Sequence, residues 1–548
     1  MIITIAAGEP SKMKIMQDPS KHQRRYLYFA VFASGMTTLA IELSASHLLG
    51  SAFGTSNLVW ASIIGLILIY LTAGYFIGGR WADRSPNAKT MYTIMAWGAF
   101  TAGLIPLIAQ PVLILAANAF DQLSMGVLFG SFTAVLVLFS LPVTLLGTIS
   151  PFAIRLAIQD AQSAGVTSGR IYAISTLGSF VGTFLPSLVL IPLVGTRHTF
   201  LLFSAFLVLT ALGGLWRSTG WRSTFRLAWM LVVLAVLDLV LAGKPIKSTP
   251  GQIYETESAY NYIQVLEVDG YRMLRLNEGQ GVHSMWHPTQ LDYDGPWEQF
   301  LVAPFFNPAN YPTERVKSMA IIGLAAGTTA RQASVVFGPI PIDGFEIDPK
   351  IIAVGREYFG MNLPNLNAIP QDGRVGLAQS SLRYSIIAVD AYRPPYIPWH
   401  LTTQEFFQEV HKHLLDDGVL AINVGRAPND RRLIDGLVDT ISTVFPSVYI
   451  VDIPSTFNSI VYATVQPTAI ENLYANWLYL KARADTYPLL LNAIEIAIAH
   501  QQAIKPCEGI KPSQGCGVVY TDDLAPVEWV TNSMILNFVM TGEMKELR

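Results

Sequence analysis

The stretch AVDAYRPPYIPWH, residues 388–400, places a single carboxylate, Asp390, at the end of an apolar run. Tyr392 and Arg393 follow it, and two prolines come next. A carboxylate at this position either caps the end of a strand or faces a ligand as a general base. Asp390 is therefore the first residue for which catalytic chemistry has to be considered.

Glycines and carboxylates also follow three apolar runs that precede Asp390 in the chain. Gly323 and Gly327 come after SMAII and let the backbone approach a ligand at the start of a helix. Glu346 ends the next run, 19 residues beyond Gly327, where a carboxylate can accept hydrogen bonds from both ribose hydroxyls. Asp372 and Gly373 follow the third run and are placed to meet an adenine edge.

Each of these signals has a structural alternative. GLAAG has Ala325 where a strict glycine motif has glycine, and any turn between strand and helix can use such a loop. Glu346 can cap a helix before Pro349, and Asp372 can be a turn residue before glycine. Four such features at successive strand ends nevertheless favour a nucleoside site, with Asp390 beside the reactive end of the ligand.

The elements around these residues predict an α/β fold. From residue 313 onward, apolar runs alternate with helical segments, which is typical of a parallel sheet that binds ligands beyond the carboxyl ends of its strands. Before it, YNYIQVLEV and YRMLRL flank Asp269-Gly270, a hairpin dipeptide. We therefore predict a small β-domain over 252–312 and a Rossmann-like domain with a C-terminal extension over 313–548.

The first part of the chain predicts a membrane domain. Of the 548 residues, 51% are hydrophobic and 14% are charged, whereas soluble proteins carry roughly 25% charged residues. A polar leader, 1–25, and a linker, 244–251, bound an all-α transmembrane bundle over 26–243. Seven stretches approach the roughly 20 apolar residues that cross a bilayer: about 27–49, 58–79, 91–116, 125–148, 171–194, 198–216 and 225–243.

The charges indicate partners and membrane sides. Lys and Arg gather in the leader and in alternate loops, which predicts a cytoplasmic amino terminus, and seven crossings then leave the soluble half outside. Residues 1–243 hold 14 Lys and Arg against seven Asp and Glu, whereas the remainder is acidic and has no basic patch. We therefore expect membrane lipid as a partner and no nucleic acid. A homo-oligomer is compatible with the sequence.

The two cysteines, Cys507 and Cys516, lie nine residues apart in KPCEGIKPSQGCG. A loop rich in Pro and Gly can close a disulfide, which would persist outside the cytosol, and two free thiols are the alternative. Because no histidine pair accompanies them, we expect no metal site.

GLAAGTTAR, FEIDP, DAYRPPYIPWHLTTQEFF and TDDLAPVEW together resemble the spermidine synthase family of polyamine aminopropyltransferases, from about Tyr254 onward. The whole chain resembles bacterial proteins that fuse a multi-pass membrane domain to such a domain. The resemblance implies a location in the bacterial plasma membrane and a methyltransferase-like Rossmann sheet. It also implies that decarboxylated S-adenosylmethionine is the substrate that donates an aminopropyl group to an amine.

By resemblance, individual residues receive roles. Glu346 matches the ribose-binding acid, and Asp372 with Gly373 matches the adenine contact. Gln280 in LNEGQG matches the glutamine after the second strand of the family, and Asp390 matches the catalytic aspartate. Tyr392 is expected to contact the substrate.

The departures from the family pattern concern the groups that hold cations. Ala326 and Arg393 stand where the family has aspartates, Asn261 replaces a cofactor-binding glutamine, and Trp297 falls where a histidine is expected. Arg393 either pairs with the carboxylate of intact S-adenosylmethionine or points to solvent. In TDDLAPVEW, Asp522, Asp523 and Glu528 either replace the missing acids or cap a helix that starts at proline.

We therefore expect an aminopropyltransferase that releases methylthioadenosine. The alternatives are cleavage of intact S-adenosylmethionine, and a non-catalytic sensor or transport-coupled protein that binds a nucleoside or a polyamine.

Overall fold

The computed structural model has a helical first half and two β-sheets in the second half. It describes these residues: 21–53, 57–109, 111–113, 126–158, 162–241, 247, 249–277, 281–392, 397–427, 429–504 and 517–541. The helices of the first half are Lys21–Phe53, Asn57–Arg84, Ala88–Gly103, Gly126–Gly147, Ile149–Ala157, Ala164–Leu185, Ile191–Thr219 and Trp221–Leu241.

These helices present apolar side chains outward as well as inward. Leu193, Phe225 and Leu239 are each at least 75% exposed, which suits a surface that contacts lipid better than one that contacts water. In the described part of the chain, five helical stretches are long and apolar enough to cross a membrane. A sixth arises if Ala88–Gly103 and Ile105–Leu113, which are bent by 41°, form one span.

One of the five stretches, Ala164–Thr219, is 56 residues long. A straight helix of that length would measure about 84 Å, far more than a bilayer of about 30 Å. The backbone at Gly195 is not helical, with φ 80° and ψ 166°, and this break divides the stretch into two parts. The predicted count of seven spans stays a prediction, and the break lies at the predicted turn between the fifth and sixth spans.

The first sheet is antiparallel and has the order β1-β2-β3-β4. Its strands are β1 (Gln252–Glu257), β2 (Tyr262–Val268), β3 (Tyr271–Leu276) and β4 (Val282–Trp286). Asp269 and Gly270 both have positive φ, 52° and 83°, as the tight hairpin turn between β2 and β3 requires.

The second sheet has eight strands in the order β12-β10-β11-β9-β8-β5-β6-β7. Its strands are β5 (Met319–Ile322), β6 (Ile342–Phe345), β7 (Leu366–Ile369), β8 (Tyr384–Val389), β9 (Leu414–Gly425), β10 (Ser447–Asp452), β11 (Asn458–Thr464) and β12 (Gln501–Gln502). Strands β5 to β9 are parallel, whereas β10, β11 and β12 pair antiparallel.

Helices cover both faces of this sheet, so the inner strands β5, β6, β8 and β11 are mostly buried, whereas the edge strands β7 and β12 have no fully buried residue. The helices of the second half are Pro296–Gln299, Thr328–Val336, Pro349–Tyr358, Gly373–Gln379, Gln404–His413, Arg432–Ser442, Glu471–Lys481, Pro488–Ala499 and Val527–Thr541. Short 3₁₀ turns lie at Phe300–Phe306, Thr313–Arg315 and Trp399–Leu401. The second half is thus the α/β fold with a small β-domain that the sequence predicts.

Candidate nucleoside site

The candidate site lies where the carboxyl ends of β5 and β8 meet. Strand β5 has β6 as its neighbour on one side and β8 on the other. The connections after β5 and after β7 therefore run in opposite directions along the sheet, and a crevice opens at this point. Gly323 has φ 87°, and a Cβ atom on it would lie 2.6 Å from the carbonyl oxygen of Asp390. Only glycine therefore allows these two strand ends to approach so closely.

The loop after β5 is held by its neighbours on two sides. The backbone N–H of Ala325 donates to Glu346 Oε2 at 2.9 Å, and that of Ala326 donates to Ser284 Oγ at 2.9 Å. Ala325 has φ 48°, a conformation that residues other than glycine rarely adopt. Gly327, with φ 86°, then starts the Thr328–Val336 helix. The loop is thus fixed in place by β4 and by the end of β6.

Glu346 follows β6 and is buried. Its carboxylate accepts the N–H of Ala325 and, at 3.0 Å, the N–H of Asp348. Burial raises the pKa of Glu346 to about 7, although these two hydrogen bonds oppose the rise. Each oxygen uses one lone pair in this way and can accept a further hydrogen bond, which is what a ribose with two hydroxyls needs.

Asp390 follows β8, and its carboxylate has one described partner. Asn423 on β9 donates from Nδ2 to Asp390 Oδ1 at 2.8 Å. Burial raises the pKa of Asp390 to about 7, and the Asn423 hydrogen bond opposes that rise. A carboxylate with this pKa can take up a proton near neutral pH.

Tyr392 lies next to Asp390 and is held at the end of β9. The Gly425 backbone forms a hydrogen bond with the Tyr392 hydroxyl, and burial raises the pKa of this phenol. The predicted substrate contact is therefore a neutral hydroxyl close to the carboxylate.

Asp372 caps the Gly373–Gln379 helix. Its Oδ1 accepts the N–H groups of Arg374 and Val375 at 3.0 and 3.1 Å, and its Oδ2 pairs with His400 Nε2 at 3.0 Å. The His400 hydrogen bond lowers the pKa of Asp372. Asp372 is thus a helix cap, a role that was not predicted from the sequence, and the predicted adenine contact stays a prediction. Gly373 packs tightly against Ile322 of β5.

Known proteins are similar to this chain in its second half. A family model described as the spermine/spermidine synthase domain matches residues 309–474. A probable polyamine aminopropyl transferase of Bifidobacterium longum is 29% identical over 280 residues, which are 50% of this chain and 61% of that protein. The chain therefore spans less than two thirds of this relative. A polyamine aminopropyltransferase of Vibrio vulnificus is 25% identical over 287 residues, which are 50% of this chain and 89% of that protein.

The second half contains a spermidine synthase-like domain. Among solved structures, the spermidine synthase of Thermotoga maritima is 21% identical and covers 46% of this chain and 84% of its own, with a TM-score of 0.36.

In the spermidine synthase-like domain, Asn261 contacts other polar side chains of the site's supporting structure. Its Nδ2 donates to Asp348 Oδ2 at 3.0 Å, and its Oδ1 accepts from Asn277 Nδ2 at 2.9 Å. Asp348 in turn donates its N–H to Glu346. Asn261 is therefore connected to the predicted ribose acid through one residue.

Asp522 forms an ion pair with Arg374 of the Gly373–Gln379 helix. Arg374 Nη1 and Nη2 donate to the two oxygens of Asp522 at 2.7 Å each, and Thr403 Oγ1 donates to Asp522 Oδ1 at 2.7 Å. The Arg374 hydrogen bonds lower the pKa of Asp522. Asp523 is exposed and lines a surface cleft of about 440 Å³ with Trp399, Asp522, Ala525, Pro526, Glu528 and Trp529.

Several predicted residues lie outside the residues that the structure describes. These are Gln280, Arg393, Cys507 and Cys516. Within the described ranges, no three His, Cys, Asp or Glu side chains are grouped so that they could hold a metal ion.

Three residues of the site were not predicted as such from the sequence. Asn423, Asp348 and His400 contact Asp390, Glu346 and Asp372, respectively. Asn423 lies in GVLAINV, and a polar residue near the carboxyl end of an otherwise apolar buried strand was the available signal. Asp348 directly precedes Pro349, which marks it as a helix cap, but the sequence did not show that its N–H donates to Glu346. His400 carried no signal, because its partner Asp372 lies 28 residues away.

Proposed function

We propose that the spermidine synthase-like domain transfers an aminopropyl group from an adenosyl sulfonium to an amine and releases methylthioadenosine. The observation that carries this proposal is the position of Asp390, a carboxylate with a pKa of about 7, at the end of β8 next to Gly323. Glu346 lies at the end of β6, on the other side of β5, where it would bind the ribose. The reacting carbon would then lie near Asp390.

The reaction needs little beyond positioning and a base. The amine nitrogen attacks the methylene carbon that carries the sulfonium, the C–N bond forms, and the C–S bond breaks with its electron pair moving to sulfur. Before the attack, the protonated amine loses one proton, which Asp390 accepts and passes to solvent. Because a free amine has a pKa near about 10.4, a base that removes this proton is required at neutral pH.

Intact S-adenosylmethionine is the second candidate substrate. Ala326, which is buried beside Ser284, provides no carboxylate for the ammonium of a decarboxylated donor. We propose that Arg393 pairs with the carboxylate of the intact nucleoside, since its planar fork suits this contact. Release of methylthioadenosine without any amine would then be a lyase-type cleavage.

Methylthioadenosine release by the purified full-length chain tests the proposal. Each nucleoside is supplied with and without diamines, and Asp390→Asn should lower the rate by at least about 100-fold. Release that requires a diamine supports transfer, and release without one supports cleavage. If no condition gives release although the nucleoside binds, the domain is a binding protein and the enzymatic proposal is wrong.

Calorimetry separates the two nucleosides. Wild type and Arg393→Ala are titrated with intact and decarboxylated S-adenosylmethionine. Tighter binding of the intact form that is lost in Arg393→Ala supports the arginine contact, whereas a preference of wild type for the decarboxylated form overturns it.

We also propose that the helical half anchors the domain in the bacterial inner membrane, with the soluble half on the extracytoplasmic side. The long apolar helices and the distribution of Lys and Arg support this placement. A cytosolic nucleoside or polyamine would then have to be delivered to the domain across the membrane.

A further inference from the structure

The break in the Ala164–Thr219 stretch is filled by a carboxylate from the first β-sheet. The helix restarts at Thr196, which is buried and whose N–H has no partner within the helix. Glu257, the last residue of β1, accepts this N–H on Oε2 at 2.6 Å and the Thr196 hydroxyl on Oε1 at 2.5 Å. The soluble half thus supplies the N-cap of an apolar helix.

Gly195 is fitted to the same contact. Its backbone, with φ 80°, is one that glycine adopts readily, and a Cβ atom would lie 2.8 Å from Glu257 Oε2. The contact lies beside a cleft of about 280 Å³ whose walls come from both halves, including Arg197, Glu255 and Lys350. Helix break and carboxylate therefore form one junction between the two halves.

From Glu257 the hydrogen bonds continue towards the nucleoside site. The next residue, Ser258, is buried and donates from Oγ to Asp348 Oδ2 at 2.6 Å. The same Oγ accepts the N–H groups of Tyr260 and Asn261, so the turn after β1 is rigid. Any shift of Glu257 along β1 would consequently displace the group that holds Asp348.

Asp348 connects this turn to the predicted ribose acid. It is fully buried, accepts the N–H of Lys350 at 3.0 Å as the cap of the Pro349–Tyr358 helix, and donates its own N–H to Glu346 Oε1. Glu346 in turn accepts the N–H of Ala325 from the loop after β5. A continuous series of hydrogen bonds and one peptide link thus joins the helix break to the nucleoside site.

We propose that Glu257, held by Thr196, is a positioning residue for nucleoside binding, so that the helical half forms part of the support of the site. This inference rests on the proposed function, because it takes Glu346 as the acid that binds the ribose. Coupling between two sites is reciprocal. A bound nucleoside therefore strengthens the contact of the β-domain with the helix break to the same extent as that contact strengthens nucleoside binding.

The first test measures the dissociation constant of methylthioadenosine for the full-length chain in lipid nanodiscs. Glu257→Ala should weaken binding about tenfold, within the usual range of coupling between sites. Thr196→Val removes one of the two donors and should weaken binding less, while Thr196→Ser should behave as wild type. Glu255→Ala is the matched control, since this carboxylate lies on the same strand and the same cleft but contacts Tyr262 and Gln252 instead.

The second test uses the reciprocal effect. Hydrogen exchange of the peptide that contains residues 190–200 is measured with and without saturating methylthioadenosine. Exchange should slow in wild type and in Glu255→Ala, and should not respond in Glu257→Ala. A purely structural role of Glu257 would change exchange in both states equally.

The outcomes separate this inference from the proposed function. Equal nucleoside affinity in wild type, Glu257→Ala and Thr196→Val overturns the inference and leaves the proposed function standing. Absence of binding in wild type overturns both. If Glu257→Ala does not fold, the comparison of Thr196→Val with wild type decides, because valine replaces only the threonine hydroxyl with a methyl group; Thr196→Ser, which keeps the hydroxyl and loses the methyl group, is the control.

Discussion

At Asp390, the Asn423 hydrogen bond opposes the effect of burial on the carboxylate. The charged form of Asp390 is the one that can take a proton from an amine, so the pH at which it appears sets the acidic limb of the activity profile. Asn423 is itself buried, and no partner of its Oδ1 lies among the described residues. Its amide therefore acts mainly on the carboxylate.

We expect kcat/KM of wild type to rise with pH through about 7 as Asp390 ionises. Asn423→Leu removes the hydrogen bond that favours the charged form of Asp390. The pH at which kcat/KM reaches half of its maximum should therefore rise by about one unit. Asn367→Leu, which removes an exposed hydrogen bond to Asp343 in the same sheet, should leave it in place. An unchanged limb in Asn423→Leu would mean that another group titrates.

Glu346 also has a raised pKa, and this shift makes the stability of the folded protein depend on pH. Its folded pKa of about 7 exceeds the ordinary value of 4.5, so the folded protein retains a proton that the unfolded chain loses. The folded state is thus favoured below pH 4.5 and loses stability as the pH rises towards 7.

Glu346→Gln should therefore gain stability relative to wild type between pH 5 and pH 8, by up to about 3 kcal/mol. The measurement is the difference in thermal unfolding midpoint between variant and wild type at each pH, with Glu357→Gln, which changes an exposed carboxylate of the Pro349–Tyr358 helix, as a control. A difference that does not depend on pH would show that Glu346 does not titrate between pH 5 and pH 8.

The sequence predicted the residues that end strands better than it predicted their partners. Gly323, Glu346 and Asp390 follow apolar runs, and parallel strands bring such positions to one edge of the sheet. That Arg374 pairs with Asp522 could not be predicted, because 148 residues separate them. Ala325 is a further case, since its left-handed backbone contradicts its local preference and depends on the Glu346 contact.

Among the elements, the Ala164–Thr219 stretch shows how a single residue divides an apolar helix. The polar run 196–199 after Gly195 is the signal by which the sequence predicted a turn between two spans here, but it did not show that the helix continues through residue 219 with only this one break. The backbone at Gly195 falls in a region that essentially only glycine occupies. The N–H of Thr196, which the break leaves without a partner within the helix, then donates to Glu257 of the β-domain.

Gly195→Ala should destabilise the chain by about 1–3 kcal/mol through backbone strain, and it should also displace Glu257. Gly169→Ala is the matched control, because this glycine is helical and a Cβ atom there would meet nothing within 4 Å. Thermal unfolding in detergent measures both. Equal midpoints for the two variants would show that the break tolerates a side chain.

At the scale of the whole molecule, the junction places the β-domain at the same end of the helical half as the Gly195 break. In the proposed arrangement this end faces the extracytoplasmic side, since Arg197 is the only Lys or Arg in the predicted outer loops. The number of spans decides whether the amino terminus faces the other way. The sequence predicted several apolar helices, which the structure has, whereas the number of crossings stays a prediction, because it depends on bends such as the one between Ala88–Gly103 and Ile105–Leu113.

Cysteine labelling of intact cells tests this arrangement. In a chain with Cys507→Ser and Cys516→Ser, a membrane-impermeant maleimide should modify Tyr260→Cys, on an exposed turn of the β-domain, and should not modify Lys21→Cys. Lysed cells provide the control in which both are labelled. Modification of both or of neither in intact cells would contradict an odd number of crossings.

The Glu257 contact also bears on how the soluble half behaves when it is separated from its helices. Burial raises the pKa of this carboxyl, and part of that burial comes from residues on the other side of the 244–251 linker. Cutting the chain in the linker would expose Glu257 to water and return its acidity towards the ordinary range. The pKa of Glu257 thus shows, in an excised fragment, whether this side chain is still buried and hydrogen-bonded as it is in the intact chain.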